Sequence, residues 1–101
     1  MSRQPEGKLV ESIKAYLRGR GAFVFKVHAG EDSFQEVGLP DLIVCWRGHF
    51  LGLEVKLPGQ KPSPRQRHIL RQISEAQGTA AVVHSVEDVE KILRQTARER
   101  G

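Results

Sequence analysis

Between Pro40 and Lys56 the chain carries two short apolar runs separated by Arg47-Gly48-His49. Leu42 to Trp46 and Phe50 to Leu57 are rich in β-branched, aromatic and aliphatic residues, and the segment between them has turn character. This pattern predicts two antiparallel strands joined as a hairpin. Charges stand inside that frame. Asp41 precedes the first strand, and Glu54 and Lys56 interrupt the second. Ionised side chains are seldom buried unless they are paired or bind a metal. Any fold that buries this hairpin must therefore provide for three charges at its edge.

The flanking sequence supplies the other elements. Leu9, Ile13, Tyr16 and Leu17 recur at helical spacing and predict a helix from about Glu6 to Arg20, stopped by Gly21. Ala22 to His28 alternates and reads as a strand. Ala29 to Leu39, with Gly30, Glu31, Asp32, Ser33 and Gly38, reads as a polar, mobile loop. Pro58 to Pro62 is a breaker-rich loop. Ser63 is placed to cap a second helix that begins with Pro64, runs to about Gln77 and ends at Gly78. Thr79 to His84 is a short strand. Ser85 caps a third helix, which buries Val86, Val89, Ile92 and Leu93. The charged tail from Arg94 to Gly101 is expected to fray. The order is helix, three strands, helix, strand, helix. A helix crossing between the third and fourth strands permits a right-handed parallel connection there. The expected class is α/β, a small mixed sheet flanked by helices.

With 101 residues, the chain has room for one modest core and is read as a single domain over 1–101. No apolar run approaches a membrane span, and the polar N-terminus is no signal peptide. Cys45 is the only cysteine, which excludes an intrachain disulfide and a cysteine-rich zinc site. Lying in an apolar run, it reads as a small core residue, and the composition suits a reducing cytoplasm. A net charge of +4 and a pI near 9.6 favour a polyanionic partner, nucleic acid first. Aromatic residues are too few for an extended base-stacking platform, so phosphate contacts would have to dominate.

The charges in the hairpin carry chemistry. Glu54 and Lys56 are two apart on a strand and project to one face, while Leu53, Val55 and Leu57 project to the other. The hairpin brings Asp41 alongside them. Two carboxylates then meet beside a lysine, a hard oxygen donor set suited to Mg²⁺ or Mn²⁺. An ion held there activates water and neutralises charge developing on a phosphate. Lys56 would orient or deprotonate that water, or stabilise the transition state.

Pro40-Asp41 followed by Glu54-Val55-Lys56 resembles the PD-(D/E)xK nuclease superfamily, and the order of elements is similar to its restriction-endonuclease-like core. Gly38-Leu39-Pro40-Asp41-Leu42-Ile43-Val44, Glu54-Val55-Lys56 and Ser63-Pro64-Arg65-Gln66 further resemble the VRR-NUC (virus-type replication-repair nuclease) family over nearly the whole chain. Leu39 stands where members often have valine, a conservative departure. The resemblance implies a divalent-metal-dependent endonuclease. Stand-alone viral or bacterial members are similar to Holliday-junction resolvases acting as homodimers, which implies branched DNA, a second copy and a bacterial or phage-infected cell. It also implies metal ligation by Asp41, Glu54 and the Val55 carbonyl, with the family's helix glutamate falling on Glu6, acting directly or through water. The family's glutamine after the lysine motif falls on Gln66.

Each residue also has a structural reading. Glu54 and Lys56 alone could be a surface pair on an edge strand. Glu6 could merely complement the helix dipole, although it shares the face of Leu9, Ile13 and Leu17; Glu11 lies off that face. Ser63-x-x-Gln66 is a capping-box pattern, although Gln66 also faces inward with Ile69, Leu70 and Ile73. His28, His49, His68 and His84 lack zinc-motif spacing. His28 and Lys26 could touch a phosphate but suit packing or surface roles. Arg65, Arg67 and Arg71 form a solvated face or a phosphate track. Trp46 reads as core or dimer contact. Three other functions compete: a flap or restriction-type nuclease, a non-catalytic DNA-binding module on the same fold, and a small interaction protein whose basic charge is incidental.

Overall fold

The computed structural model describes residues 5–28 and 38–100 of the chain. Of the polar loop expected before the hairpin, residues 29–37 lie outside the described residues. Helix α1 (Pro5–Gly19) is followed by strands β1 (Phe23–Lys26), β2 (Leu42–Trp46) and β3 (His49–Val55). Helix α2 (Pro64–Glu75), strand β4 (Thr79–Val83) and helix α3 (Val86–Arg100) complete the domain. The sheet order is β1-β2-β3-β4, with the first two pairs antiparallel and β3–β4 parallel across α2. This is the α/β class and element order that the sequence predicts.

Local chemistry sets the boundaries. Gly21 (φ +85°) closes α1 in a Schellman turn: Ala22 N–H donates to the Leu17 carbonyl and Gly21 N–H to that of Arg18, each at 3.0 Å. The Arg20 carbonyl also accepts from Trp46 Nε1 at 3.0 Å, fastening the exit of α1 to the far end of β2. The hairpin turn is tighter than expected. Only Arg47 (φ 53°) and Gly48 (φ 77°) form it, and His49 is already in β3, opposite Trp46. Two consecutive positive φ angles are those of a type I′ turn, which favours Asn-Gly; a left-handed arginine costs about 1 kcal/mol. The second helix ends at Glu75 rather than Gln77. Gln77 (φ 75°) takes the left-handed position, and Gly78 N–H closes onto the Ile73 carbonyl at 3.0 Å. Gly78 is needed for space, since a Cβ there would meet Ile73 Cγ2 at 3.0 Å and Phe50 Cδ1 at 3.1 Å.

The core lies between the sheet and the α1/α3 pair. Val10, Ile13 and Leu17 from α1 and Val89 and Leu93 from α3 pack on Val24, Leu42, Val44, Trp46, Leu51, Leu53, Val55 and Val83. Trp46 is therefore a core residue. The helix α3 does not fray at Arg94. It continues to Arg100 because Thr96 is buried and Ala97 packs on the core.

On the opposite face α2 covers β3 and β4 and leaves β1 and β2 open. Phe23 (67% exposed), Phe25 (48%) and Phe50 (44%) lie there, and Cys45 is exposed between Phe23 and Phe50 in the pairing register. The expected core role for Cys45 fails for this reason: alternate residues of β2 point to a face that only part of α2 reaches.

Gly52 fixes how closely α2 approaches. An added Cβ would lie 2.8 Å from Ile73 Cδ1 and 3.1 Å from Pro40 Cγ. Gly52→Ala is expected to lose about 1–3 kcal/mol by overpacking. Ile73→Val removes Cδ1, so the double variant should be more stable than the two single losses sum to. Urea denaturation of the four proteins measures this coupling.

Candidate active site

The register of the hairpin assembles the site. Leu42 pairs with Leu53, and continuing that antiparallel ladder by one residue sets Asp41 beside Glu54. Gly38 (φ +93°) makes the preceding bend, with no room for a side chain, since a Cβ would lie 2.7 Å from Arg65 Cγ at the start of α2. Buried Pro40 then aims Asp41 at the sheet. Asp41 Oδ2 accepts the Val55 N–H at 2.8 Å, which holds the carboxylate against the end of β3.

Glu54 sits at the centre, 1% exposed. Gln66 Nε2 donates to its Oε2 at 2.8 Å, and Lys56 Nζ lies 3.6 Å from the same oxygen. Its Oε1 is buried and has no hydrogen-bond partner among the described residues. Gln66 satisfies both readings of its position. Its Oε1 accepts the Ser63 N–H at 2.8 Å, and its own N–H donates to Ser63 Oγ at 3.1 Å, completing a capping box. Its amide nitrogen then remains to serve Glu54.

The electrostatics follow from this packing. Burial pushes the Glu54 carboxyl up from 4.5 to about 7 and the Asp41 charge adds to the rise, while the charge and hydrogen bond of Lys56 oppose it. Glu6 adds a weaker upward push, so it lies within electrostatic range from the first turn of α1. Glu11 instead pairs with Lys14 at 3.3 Å on the exposed side of the helix. Among the described residues no group of three or more His, Cys, Asp or Glu side chains is gathered to hold a metal. The close acidic set is the Asp41–Glu54 pair. Such a pair fits Mg²⁺, which commonly takes one or two protein carboxylates and keeps several waters. The partnerless Glu54 oxygen fits a cation equally well. Val55 has its side chain in the core and its amide bound to Asp41.

One neighbour of the site has no local sequence signal. Parallel pairing of Val55 with Val83 brings His84 beside Lys56, and His84 Nδ1 donates to the Lys56 carbonyl at 3.0 Å. His84 N–H is itself held by Asp88 Oδ2 at 2.8 Å. Only the β3–β4 register, formed across a helix, could have revealed this. Lys26 pairs with Leu42, so it projects to the face opposite Asp41, and its ammonium binds the Val27 carbonyl at 3.1 Å. His28 is exposed. Arg67 donates to the Pro62 carbonyl at 3.0 Å, and Arg65 and Arg71 lie exposed along α2.

No family model and no curated protein matches the sequence. Solved structures do match. One described as a VRR_NUC domain has a TM-score of 0.74 and 28% identity, covering 91% of this chain and 97% of its own. The chain has a VRR-NUC fold. A second structure, described as a VRR_NUC domain protein, superposes with a TM-score of 0.72 at 17% identity, covering 93% of this chain and 88% of its own. The VRR-NUC resemblance seen in the short motifs thus extends to the fold over most of the chain. Among the described residues no helix is long and apolar enough to cross a membrane.

The raised Glu54 pKa has a signed consequence. Unfolded, the carboxyl titrates near 4.5; folded, near 7. The native state therefore binds more protons over that window, and the metal-free protein should lose stability as pH rises from about 4.5 to about 7. The shift corresponds to a loss on the order of 3 kcal/mol. Glu54→Gln should flatten the profile, and Mg²⁺ should restore wild-type stability at pH 8. Thermal unfolding at pH 5, 6, 7 and 8, with and without Mg²⁺, checks both effects.

Proposed function

We propose that the protein is a divalent-metal-dependent, structure-specific DNA endonuclease that hydrolyses phosphodiester bonds and resolves four-way junctions as a homodimer. The observation that carries the reading is the buried Glu54 carboxylate, with one oxygen partnerless, beside Asp41 and Lys56 in a VRR-NUC fold.

Asp41 and Glu54 would hold Mg²⁺ or Mn²⁺, with the Val55 carbonyl and, directly or through water, Glu6. When bound, the ion supplies Lewis-acid stabilisation of the phosphate and a water of lowered pKa. Gln66 fixes the Glu54 carboxylate by donating to Oε2, leaving Oε1 for ligation. Asp41 is held through Oδ2, so its second oxygen is the one available. Lys56 is 19% exposed at its side chain, close enough to Glu54 to be held and open enough to meet an incoming phosphate. Its ammonium orients the attacking water and balances charge on the phosphate oxygens in the transition state. A domain of this size offers little surface for base readout, which favours recognition of DNA shape.

Lys56→Ala should fold, bind four-way junction DNA and lose cleavage by at least about a hundredfold, the scale of one lost acid–base or electrostatic group. A panel of junction, flap, duplex and single-strand substrates in Mg²⁺ and Mn²⁺ tests the activity. Wild-type cleavage by the mutant would sink the assignment of Lys56. A flap preference would replace the junction reading, and wild-type binding without cleavage of any substrate would leave a non-catalytic module.

The open face supports the dimer. Phe23, Phe25, Phe50 and Cys45 form an uncharged apolar surface, which a two-fold axis can cover with its own copy. Phe23→Glu with Phe50→Glu should shift the protein from dimer to monomer in sedimentation velocity at micromolar concentration and abolish paired nicking. A wild-type protein that sediments only as a monomer ends the dimer claim.

A further inference from the structure

A cavity lies at the end of the domain opposite Asp41 and Glu54, between the end of α1, the turn after β2 and the later half of α3. Its volume is about 190 Å³, and its lining includes Tyr16, Arg20, Trp46, Arg47, Glu90 and Arg94. The catalytic reading uses none of these residues. Ten residues of α1 separate Tyr16 from Glu6, about 15 Å of helix. Five residues of β2 separate Trp46 from Asp41, about 17 Å of strand.

Cationic groups converge there. The Arg47 guanidinium stacks over the Trp46 ring, 4.5 Å from its centroid, and Arg20 lies 6.0 Å from the centroid of Tyr16. Glu90 is the one acid in the lining, and Arg94 binds it at 3.0 Å. Among the described residues neither Arg20 nor Arg47 has a carboxylate partner. The Tyr16 hydroxyl, closed off from solvent, has no hydrogen-bond partner among the described residues. A buried hydroxyl ordinarily finds one. Arg47 also holds its place against backbone preference, in a left-handed turn position where asparagine would be relaxed. Two guanidiniums that have no carboxylate partner among the described residues, beside a small cavity, are the complement of an oxyanion.

We propose that this cavity is a second phosphate-binding site, which takes a backbone phosphate of the nucleic acid away from the cleavage centre. It rests on the nuclease reading for the source of the phosphate. A separation of about 15–17 Å equals about five base pairs of duplex axis at 3.4 Å each, so one DNA molecule can meet both sites.

Trp46 and Tyr16 are the only residues of their kinds, so intrinsic tryptophan fluorescence reports on this cavity alone. The experiment titrates full-length protein, in EDTA to prevent cleavage, with inorganic phosphate and with a four-way DNA junction. A saturable change in Trp46 emission with DNA is expected. Arg47→Asn, which suits the turn, and Arg20→Gln should each weaken DNA binding about tenfold. Together they should lower the slope of log K against log salt by about 0.9, the value for one phosphate contact. Emission unchanged by both ligands, or an unchanged salt slope in the double variant, overturns the site. A response to inorganic phosphate with none to DNA overturns its assignment to nucleic acid. Cleavage assays run alongside separate the two readings. Intact wild-type cleavage with silent Trp46 rejects only this site, while a Trp46 response to DNA without cleavage supports it and rejects the nuclease.

Discussion

The buried carboxylate of Glu54 is the constraint around which the domain is arranged. A carboxylate that is 1% exposed is unfavourable in its charged form, and the Asp41 charge makes it more so. Lys56 and Gln66 offset part of that penalty, and both act on the same oxygen. The other oxygen has no partner among the described residues. A fold optimised for stability alone would place a hydrophobic residue there, since removing such a charge is often neutral or stabilising. The penalty makes sense if the missing partner is a cation, which completes the charge balance only in the working state.

The site needs a rigid frame, and the sheet supplies it unevenly. One face is fully covered by α1 and α3, so Leu51, Leu53 and Val55 anchor β3 in a continuous core. The other face is covered by α2 only over β3 and β4, where Gly52 lets the helix settle against the sheet and brings Gln66 onto Glu54. With one helix on that side, the β1–β2 half stays open, which explains three exposed phenylalanines in so small a domain. The geometry around Glu54 and the apolar exposure thus share one cause: α2 is placed against the carboxylate, and the rest of that face is left uncovered by it.

Much of this was legible in the sequence because it depends on local pattern. The hairpin, its two strands, the capped start of α2 and the four-strand order follow from alternation, turn residues and the Ser63-Pro64 cap. The convergence of Asp41 with Glu54 and Lys56 follows from strand parity and a short turn. Where the sequence misled, tertiary packing had the deciding role. Cys45 lies in an apolar run but on the open face. The charged end of α3 holds as helix because Thr96 and Ala97 face the core. The Arg47-Gly48 turn is one residue shorter than its composition suggests, because Trp46 and His49 pair. His84 joins the Lys56 backbone through a parallel register that no local signal encodes.

The polar groups of the site also show how so small a core can position them. Asp41 uses one carboxylate oxygen to receive the Val55 amide, and Gln66 uses its carbonyl to close a helix cap. Each is fixed by a hydrogen bond that belongs to the fold, and each presents its remaining atom to the centre. Glu54 repeats the pattern, with Oε2 held and Oε1 open. Side chains held in this way lose their rotational freedom during folding, before any substrate arrives. The entropy of ordering is then met once, by the same bonds that cap α2 and fasten the strand ends. A domain with little interior to give can in this way hold a preorganised centre with few supporting residues beyond Gln66 and His84.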